Sequence, residues 1–398
     1  MSKRKGKGTS GGAFGGPRKP RPTLTRRSPD PLSGSRGTDP MLKMIQRLAE
    51  GQDFKSEEDF RRFMDEKVVG KTPEELAAML GNAGPRTPDD EADLLLSKLP
   101  HDPTPDAAVA AARQALEISE GCVTAWLILA THAQSAGKAL EFCDQGIARG
   151  RERFAERIAE DGPGRGLWGW IDARDFMRLF CEKARAEENL GDFEAALSTY
   201  QEMLRLNPGD NQGVRGDALR LLMATRKVEE ARALLNQYPD DGDCAMAWGQ
   251  ALVAIVEAAD RTGYRLPDTP PPEFDESPQA FLKSLGPDFA AATRAVKRAI
   301  EVNRFVPLLF TRGGLMQVVM DDRVLFGGPY QAVAYLQKWG ALWHLSGLPM
   351  VFLTACAPKN PKKYTGHPRM AEELADVMDQ LDSYIGRPWW ELLYPGEA

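Results

Sequence analysis

Five side chains near the middle of the sequence could together grip an acidic group: Arg178, Arg185, Asn189, Gln212 and Arg215. The planar fork of an arginine matches a carboxylate or a phosphate with two parallel N–H bonds. An amide beside it supplies a further donor and an acceptor. Two arrangements are open to these residues. They could converge on one surface and hold a carboxylate-bearing partner. Alternatively, Arg178 and Arg215 could pair within the chain with carboxylates such as Asp172, Asp175 or Asp217.

Other stretches suggest other chemistries and fall short of them. Residues 204–222, LRLNPGDNQGVRGDALRLL, are glycine-rich but lack the G-K-[ST] of a phosphate loop and the strand that must precede it. Pro208 instead stops one helix, and Asp210 or Asn211 can cap the next by accepting its orphan N–H groups. Gly213 is then an odd choice, costing roughly 1 kcal/mol against Ala inside a helix. GRGLWG, residues 164–169, fits G-x-G-x-x-G, but a charged helical pattern, RERFAERIAED, precedes it where a strand is needed. It reads as a connection whose Trp168 and Trp170 pack on neighbouring helices. The five cysteines, Cys122, Cys143, Cys181, Cys244 and Cys356, form no CxxC pair, and His101, His132, His344 and His367 are isolated. No metal site and no cofactor is expected. His132 lies near Cys122 and Cys143 in sequence, but on apolar helical pattern. Acidic pairs such as Glu187-Glu188, Glu229-Glu230 and Glu372-Glu373 read as solvated helix faces. The expectation is a chain that is not an enzyme.

The charge is unevenly spread. Residues 1–40 carry ten Lys/Arg and two Asp, about +8, which leaves −14 for the rest of a chain whose total is −6. This tail is rich in Gly, Pro, Ser and Arg and has nothing to bury, so it is expected to be disordered. It has no apolar core of a signal peptide. The longest apolar run, AWLILA, is far short of the roughly 20 residues that span a bilayer. A cytoplasmic protein without membrane contact is expected.

The elements that must position the five residues are helices. Residues 41–80 read as short helices with Ser56 and Thr72 as N-caps, and GNAGPRTPDD as a linker. From about 106 the pattern is almost continuously helical, with no convincing alternating strand. Residues 177–210 give helix, Gly turn, helix, Pro turn, and the unit recurs at 211–241. The nearly apolar CAMAWGQALVAIVEAADR and then AATRAVKRAIEVN come next, separated by a Pro-rich acidic excursion over 262–288. A helix–turn–helix repeated at about 34 residues is the mark of an α-solenoid. Four regions result: a tail over 1–40, an N-terminal helical segment and linker over 41–105, helical repeats over 106–305, and a helical cap over 306–398. The cap has one stripe of Val333, Leu336, Trp339, Leu342 and Trp343. Trp389-Trp390 near the end is either a docking peptide or a segment that folds back on the array.

The unit at 177–210 resembles the tetratricopeptide repeat. Ala184 stands at the small position of the first helix, Gly191-Asp192-Phe193 at the turn, Ala196 at the close helix contact, Tyr200 at the core aromatic and Pro208 at the end. Trp126 fits the first helix of an earlier copy, and Ala231 the second helix of a later one. The copy at 177–210 departs from the pattern at Phe180, where Trp is usual, and at Glu187, where an aromatic is usual. Three further stretches, LWGWIDARDFMR (167–178), LNPGDNQGVR and FGGPYQAVAYLQKWGALW (326–343), together resemble bacterial proteins related to the suppressor-of-tumorigenicity TPR-like family. That likeness covers roughly residues 106–353. Gly216-Asp217 departs from it, where bulky apolar residues are usual.

The resemblance implies an all-α, TPR-like superhelix with extra helices at both ends. It implies that first-helix residues line a concave groove. By repeat position, Arg178, Arg185, Asn189, Gln212 and Arg215 should face that groove and bind a protein or an acidic, carboxylate-bearing peptide. The alternative reading is a nucleic-acid- or ribosome-associated adaptor that uses the basic tail, and the second alternative is an uncharacterised enzyme.

Overall fold

The computed structural model describes residues 39–49, 52, 54–72, 75–76, 78–79, 87–100, 103–160, 166–239, 241–266, 277–310, 312, 314–320, 324–344, 347–356 and 367–382. The basic tail before Asp39, the centre of the Pro-rich excursion and Trp389-Trp390 lie outside the described residues. No strand occurs among the described residues.

Polar side chains start many of the helices by accepting first-turn N–H groups. The N-terminal helices are α1 (Asp39–Ala49), α2 (Glu57–Lys67) and α3 (Pro88–Ser97). Ser56 caps α2 as its position suggested. Helix α3 begins inside the stretch read as a linker, where Thr87 and Asp90 form a reciprocal capping box ahead of Pro88. Next come α4 (Pro105–Ile118), α5 (Val123–Thr131), α6 (Ala136–Arg153) and the short α7 (Ala155–Glu160). Thr104 and Ser135 cap α4 and α6. The central helices are α8 (Arg174–Asn189), α9 (Phe193–Leu206), α10 (Arg215–Ala224), α11 (Val228–Gln237) and α12 (Cys244–Thr262). Asp192 caps α9 and Asp243 caps α12. Helix α12 ends at Gly263 in the left-handed region. The excursion returns through α13 (Pro278–Ser284) to α14 (Ala290–Val302). The C-terminal group is α15 (Phe305–Phe310), α16 (Pro329–His344), α17 (Leu348–Cys356) and α18 (Pro368–Asp382).

These helices pair as hairpins: α5 with α6, α8 with α9, α10 with α11, and α12 with α14. Each hairpin stacks on the next, through α6 on α8, α9 on α10, and α11 on α12. The repeat positions behave as their residue types require. Ala184, Ala196 and Ala231 are wholly buried at helix contacts, and Gly191 takes a positive φ in the turn. Tyr200 is buried, and Trp126 packs on Phe142. One apolar core runs from Val123 to Leu381, and a smaller cluster from Ala92 to Leu129 joins α3, α4 and α5.

Two features depart from the simple stack. The joint between α9 and α10 is longer than its sequence suggested. Helix α9 ends at Leu206 and α10 starts only at Arg215, so Gly213 is not in a helix at all. Its φ of 71° explains the glycine, and no neighbour crowds it. The second is α12, whose apolar residues are buried all round because α10, α11, α14, α16 and α17 surround it. Helix α16 reaches it across the array: the Trp339 ring lies 3.0 Å from where a Cβ on Gly249 would stand, beside Leu219 of α10. Trp343 packs edge-on to Trp248, with ring centroids 5.9 Å apart.

Candidate partner-binding surface

The first helices of the hairpins, α5, α8 and α10, carry or adjoin all five residues singled out by their chemistry. They do not share one environment. Arg178 is 2% exposed; its Nη1 donates to Asp175 Oδ1 at 2.7 Å. Asp175 also accepts from Thr124 of α5 at 2.7 Å, and the Arg178 guanidinium lies over the Trp168 ring. The internal pair with Asp175 is therefore one of those the sequence left open, and it fastens α8 to α5. The other two carboxylates named with it are engaged elsewhere: Asp172 with Arg157, and Asp217 with Arg220 and Lys338.

Gln212 is buried, and its Nε2 donates to Met177 O at 3.2 Å and to Cys181 Sγ at 3.1 Å. It fastens the joint to α8. Arg215 sits at the other side of the joint, bonded to Asp210 at 2.8 Å and to Asp241, with its guanidinium over Tyr238. The Asp241 hydrogen bond, followed by that from Asp210, holds Arg215 charged well beyond the ordinary arginine range, against the opposing effect of burial. Asp210 is buried with φ 45°, a conformation Asp tolerates better than most residues. Its Oδ1 accepts Val214 N–H at 2.8 Å and its Oδ2 accepts Arg215 N–H at 3.0 Å. It thereby caps α10, as the joint's sequence suggested.

Arg185 and Asn189 lie further along α8. The Arg185 side chain is 39% exposed and bonds Glu182 at 3.0 Å. Asn189 is exposed on the last turn of α8, next to Leu190, which is 53% exposed. Between them, Glu188 accepts from Tyr200 Oη at 2.9 Å and pairs with Arg220 of α10. Burial raises the Tyr200 hydroxyl far above its ordinary range, so it stays a donor. An ionic ladder thus runs Glu188–Arg220–Asp217–Lys338 from α8 through α10 to α16. Glu187, an odd residue for the repeat, is buried but accepts from Thr199 of α9 at 2.7 Å and pairs with Lys183 at 3.2 Å. The Gly216-Asp217 departure has a similar reason. Gly216 lets Ala245 of α12 approach, with 3.0 Å from its Cβ to the position a Cβ would take, while Asp217 joins the ladder.

The other motifs resolve into structure. Gly166 turns with φ 64° against the backbone of Asn207, and 167–169 form a 3-10 turn. Arg174 covers Trp168, and Arg157 lies 4.5 Å over Trp170, so both rings pack on the array. The last described element before this turn is helix α7, where a dinucleotide site has a strand. Four cysteines, Cys122, Cys143, Cys181 and Cys244, are buried free thiols; burial pushes Cys143 up to about 12. Among the described residues no group of three His, Cys, Asp or Glu could hold a metal ion, and no helix is long and apolar enough to cross a membrane.

Stacked two-helix units with small residues at these contacts define an all-α, TPR-like solenoid, and a family model of the tetratricopeptide repeat matches residues 190–253, from just after α8 into α12. The chain is also similar to the suppressor of tumorigenicity 7 protein-like of Rattus norvegicus and of Mus musculus. Each is 23% identical over 258 residues, covering 62% of this chain and 44% of the relative. The chain therefore spans less than half the length of these relatives. No solved structure matches.

Sequence reasoning missed the engagement of α16 with the first-helix face. The available signal was Gly249, a glycine in the middle of an otherwise bulky apolar helix. Such a residue marks close approach by a neighbour.

Proposed function

We propose that this protein is a non-catalytic scaffold that binds a partner protein or peptide on the first-helix face of its array. Tetratricopeptide repeats as a class mediate protein–protein contact, and such helical-repeat folds are typically non-catalytic. The observation that carries the finer reading is the difference in exposure along α8. Arg185 and Asn189 reach the surface, whereas Arg178, Gln212 and Arg215 are fastened to their neighbours. In this reading Arg185 and Asn189 contact an acidic or carboxylate-bearing peptide, and the other three hold α5, α8 and α10 in register around them. Binding would draw Arg185 from Glu182 to the ligand carboxylate, exchanging one charged partner for another.

The test is a display of acidic peptides with free C-terminal carboxylates, followed by calorimetric titration of a retained sequence. Arg185→Ala/Asn189→Ala should weaken binding about tenfold or more, the loss of one charge-assisted bond and one amide contact. Arg178→Ala should chiefly lower the unfolding midpoint. Parental affinity in the Arg185→Ala/Asn189→Ala protein would remove the proposed site.

A further inference from the structure

The α10–α11 turn has the backbone of the α8–α9 turn but carries different residues. Five residues before the wholly buried Ala196 and Ala231 stand Gly191 and Arg226, followed by Asp192 and Lys227. The dihedrals agree: φ is 79° at Gly191 and 62° at Arg226, and −86° at both Asp192 and Lys227. Glycine takes the left-handed position freely, whereas arginine is strained in it. Asp192 caps α9, whereas Lys227 gives α11 no side-chain acceptor. Both exchanges weaken the turn as structure. Arg226 is exposed and forms no ion pair with a described residue, so no such pair offsets its strain.

Arg226 lines a cavity of about 680 Å³ between this turn and the end of α12. That volume is within the roughly 300–1,000 Å³ of ligand clefts. Arg232 of α11 sets the separation of its walls by bonding Glu257 of α12, through Nε at 2.9 Å and Nη2 at 2.6 Å. Among the described residues of the walls only Val228 is apolar. An apolar ligand would strip water from the others without replacing its bonds, so the cavity suits a charged one.

Several charges of the walls are already met. Glu257 is paired with Arg232, Lys227 with Glu194 of α9, and Asp260 with Arg265 at 3.9 Å. Four remain. Arg226 has no ionic partner among the described residues, and Arg261 donates to a neutral one, the Asp288 carbonyl, at 2.8 Å. Glu229 is exposed, and Glu230 accepts from the neutral amide of Gln201 at 3.4 Å. Two cations and two carboxylates thus line one cavity. A ligand of one sign would meet repulsion as well as attraction there, whereas a ligand with both signs can pair with all four. All four residues are exposed, so the cavity is an open cleft along which an extended chain can lie.

We propose that this cleft binds a short mixed-charge segment of a partner protein, with an acidic residue held by Arg226 and Arg261 and a basic one by Glu229 and Glu230. The site does not rest on the face bearing Arg185 and Asn189.

Fluorescence anisotropy on the full-length protein at low ionic strength tests it with three end-blocked hexapeptides: alternating Glu and Lys, all Glu, and all Lys. The alternating peptide should bind at least about tenfold more tightly than either of the others. Arg226→Gly should weaken its binding at least about tenfold and raise the urea midpoint, because glycine relieves the turn. Glu229→Gln/Glu230→Gln should move the preference toward the all-Glu peptide. Absence of binding by the alternating peptide, equal affinity for all three, or parental affinity in Arg226→Gly would overturn the proposal. A lower urea midpoint in Arg226→Gly would also overturn it, since the arginine would then serve the fold.

Discussion

Asp210 holds three groups at once: the N–H of Val214, the N–H of Arg215 and the Arg215 guanidinium. Asp210→Ala leaves two N–H groups at the start of α10 without their acceptor and removes one of the two carboxylates on Arg215. Loss of a cap and of a buried charged hydrogen bond together should cost about 2–3 kcal/mol, read as a shift of the urea midpoint. Asp210→Asn keeps a side-chain oxygen for Val214 and a residue that tolerates positive φ, so it should cost less than half as much. Equal losses for the two would mean that the charge, rather than the cap, holds the joint. The role of Asp210 was legible because Asp before a helix has few other uses. Gly213 was not, since its reading depended on where α10 begins, and only the backbone shows that this is Arg215. Arg178 illustrates a harder limit. Its spacing suits the groove as well as it suits Asp175, and nothing in the pattern shows that it is buried on that carboxylate.

At the scale of elements, helix α6 makes a clean comparison, because two of its glycines stand in opposite surroundings. A Cβ at Gly150 would collide with the ring of Phe176, which is wholly buried, whereas one at Gly137 meets nothing within 4 Å. Gly150→Ala should therefore destabilise: overpacking costs about 1–3 kcal/mol, against a gain of up to about 1 kcal/mol in helix propensity. Gly137→Ala, in the exposed first turn, should be neutral or stabilise by a few tenths of a kcal/mol. Denaturant titrations giving the same sign for both would show that α6 does not need its close approach to α8. The hairpins themselves were readable, since Ala184, Ala196 and Ala231 are small where helices touch. Helix α3 was not read, although Thr87-Pro88 followed by Asp90 is a helix start: the Gly- and Pro-rich residues before it dominated the pattern.

The whole molecule is more than a row of neighbours. In an array where each hairpin touches only the next, a lesion in the cap should stay in the cap. Here α16 packs on both α10 and α12: Trp339 lies against Gly249 and Leu219, and Lys338 bonds Asp217 at 2.9 Å across 121 residues of sequence. Trp339→Ala should lower global stability by about 3–5 kcal/mol, the cost of emptying a large buried aromatic site. Its distribution is the sharper outcome. Amides of α10 should lose protection together with those of α16, while α5 and α6 at the far end lose only what the global change requires. Lys338→Met, which removes the ionic contact and leaves Trp339 in place, should shift the midpoint by less than about 1 kcal/mol, as expected for a pair with an exposed lysine. If α16 exchanged freely in Trp339→Ala while α10 kept its parental protection, the contact would be mere adjacency. The array would then be one-dimensional after all. Joint loss in α10 and α16 would instead mean that the cap holds the first-helix face in its shape, so that the surface bearing Arg185 and Asn189 depends on residues about 150 positions away.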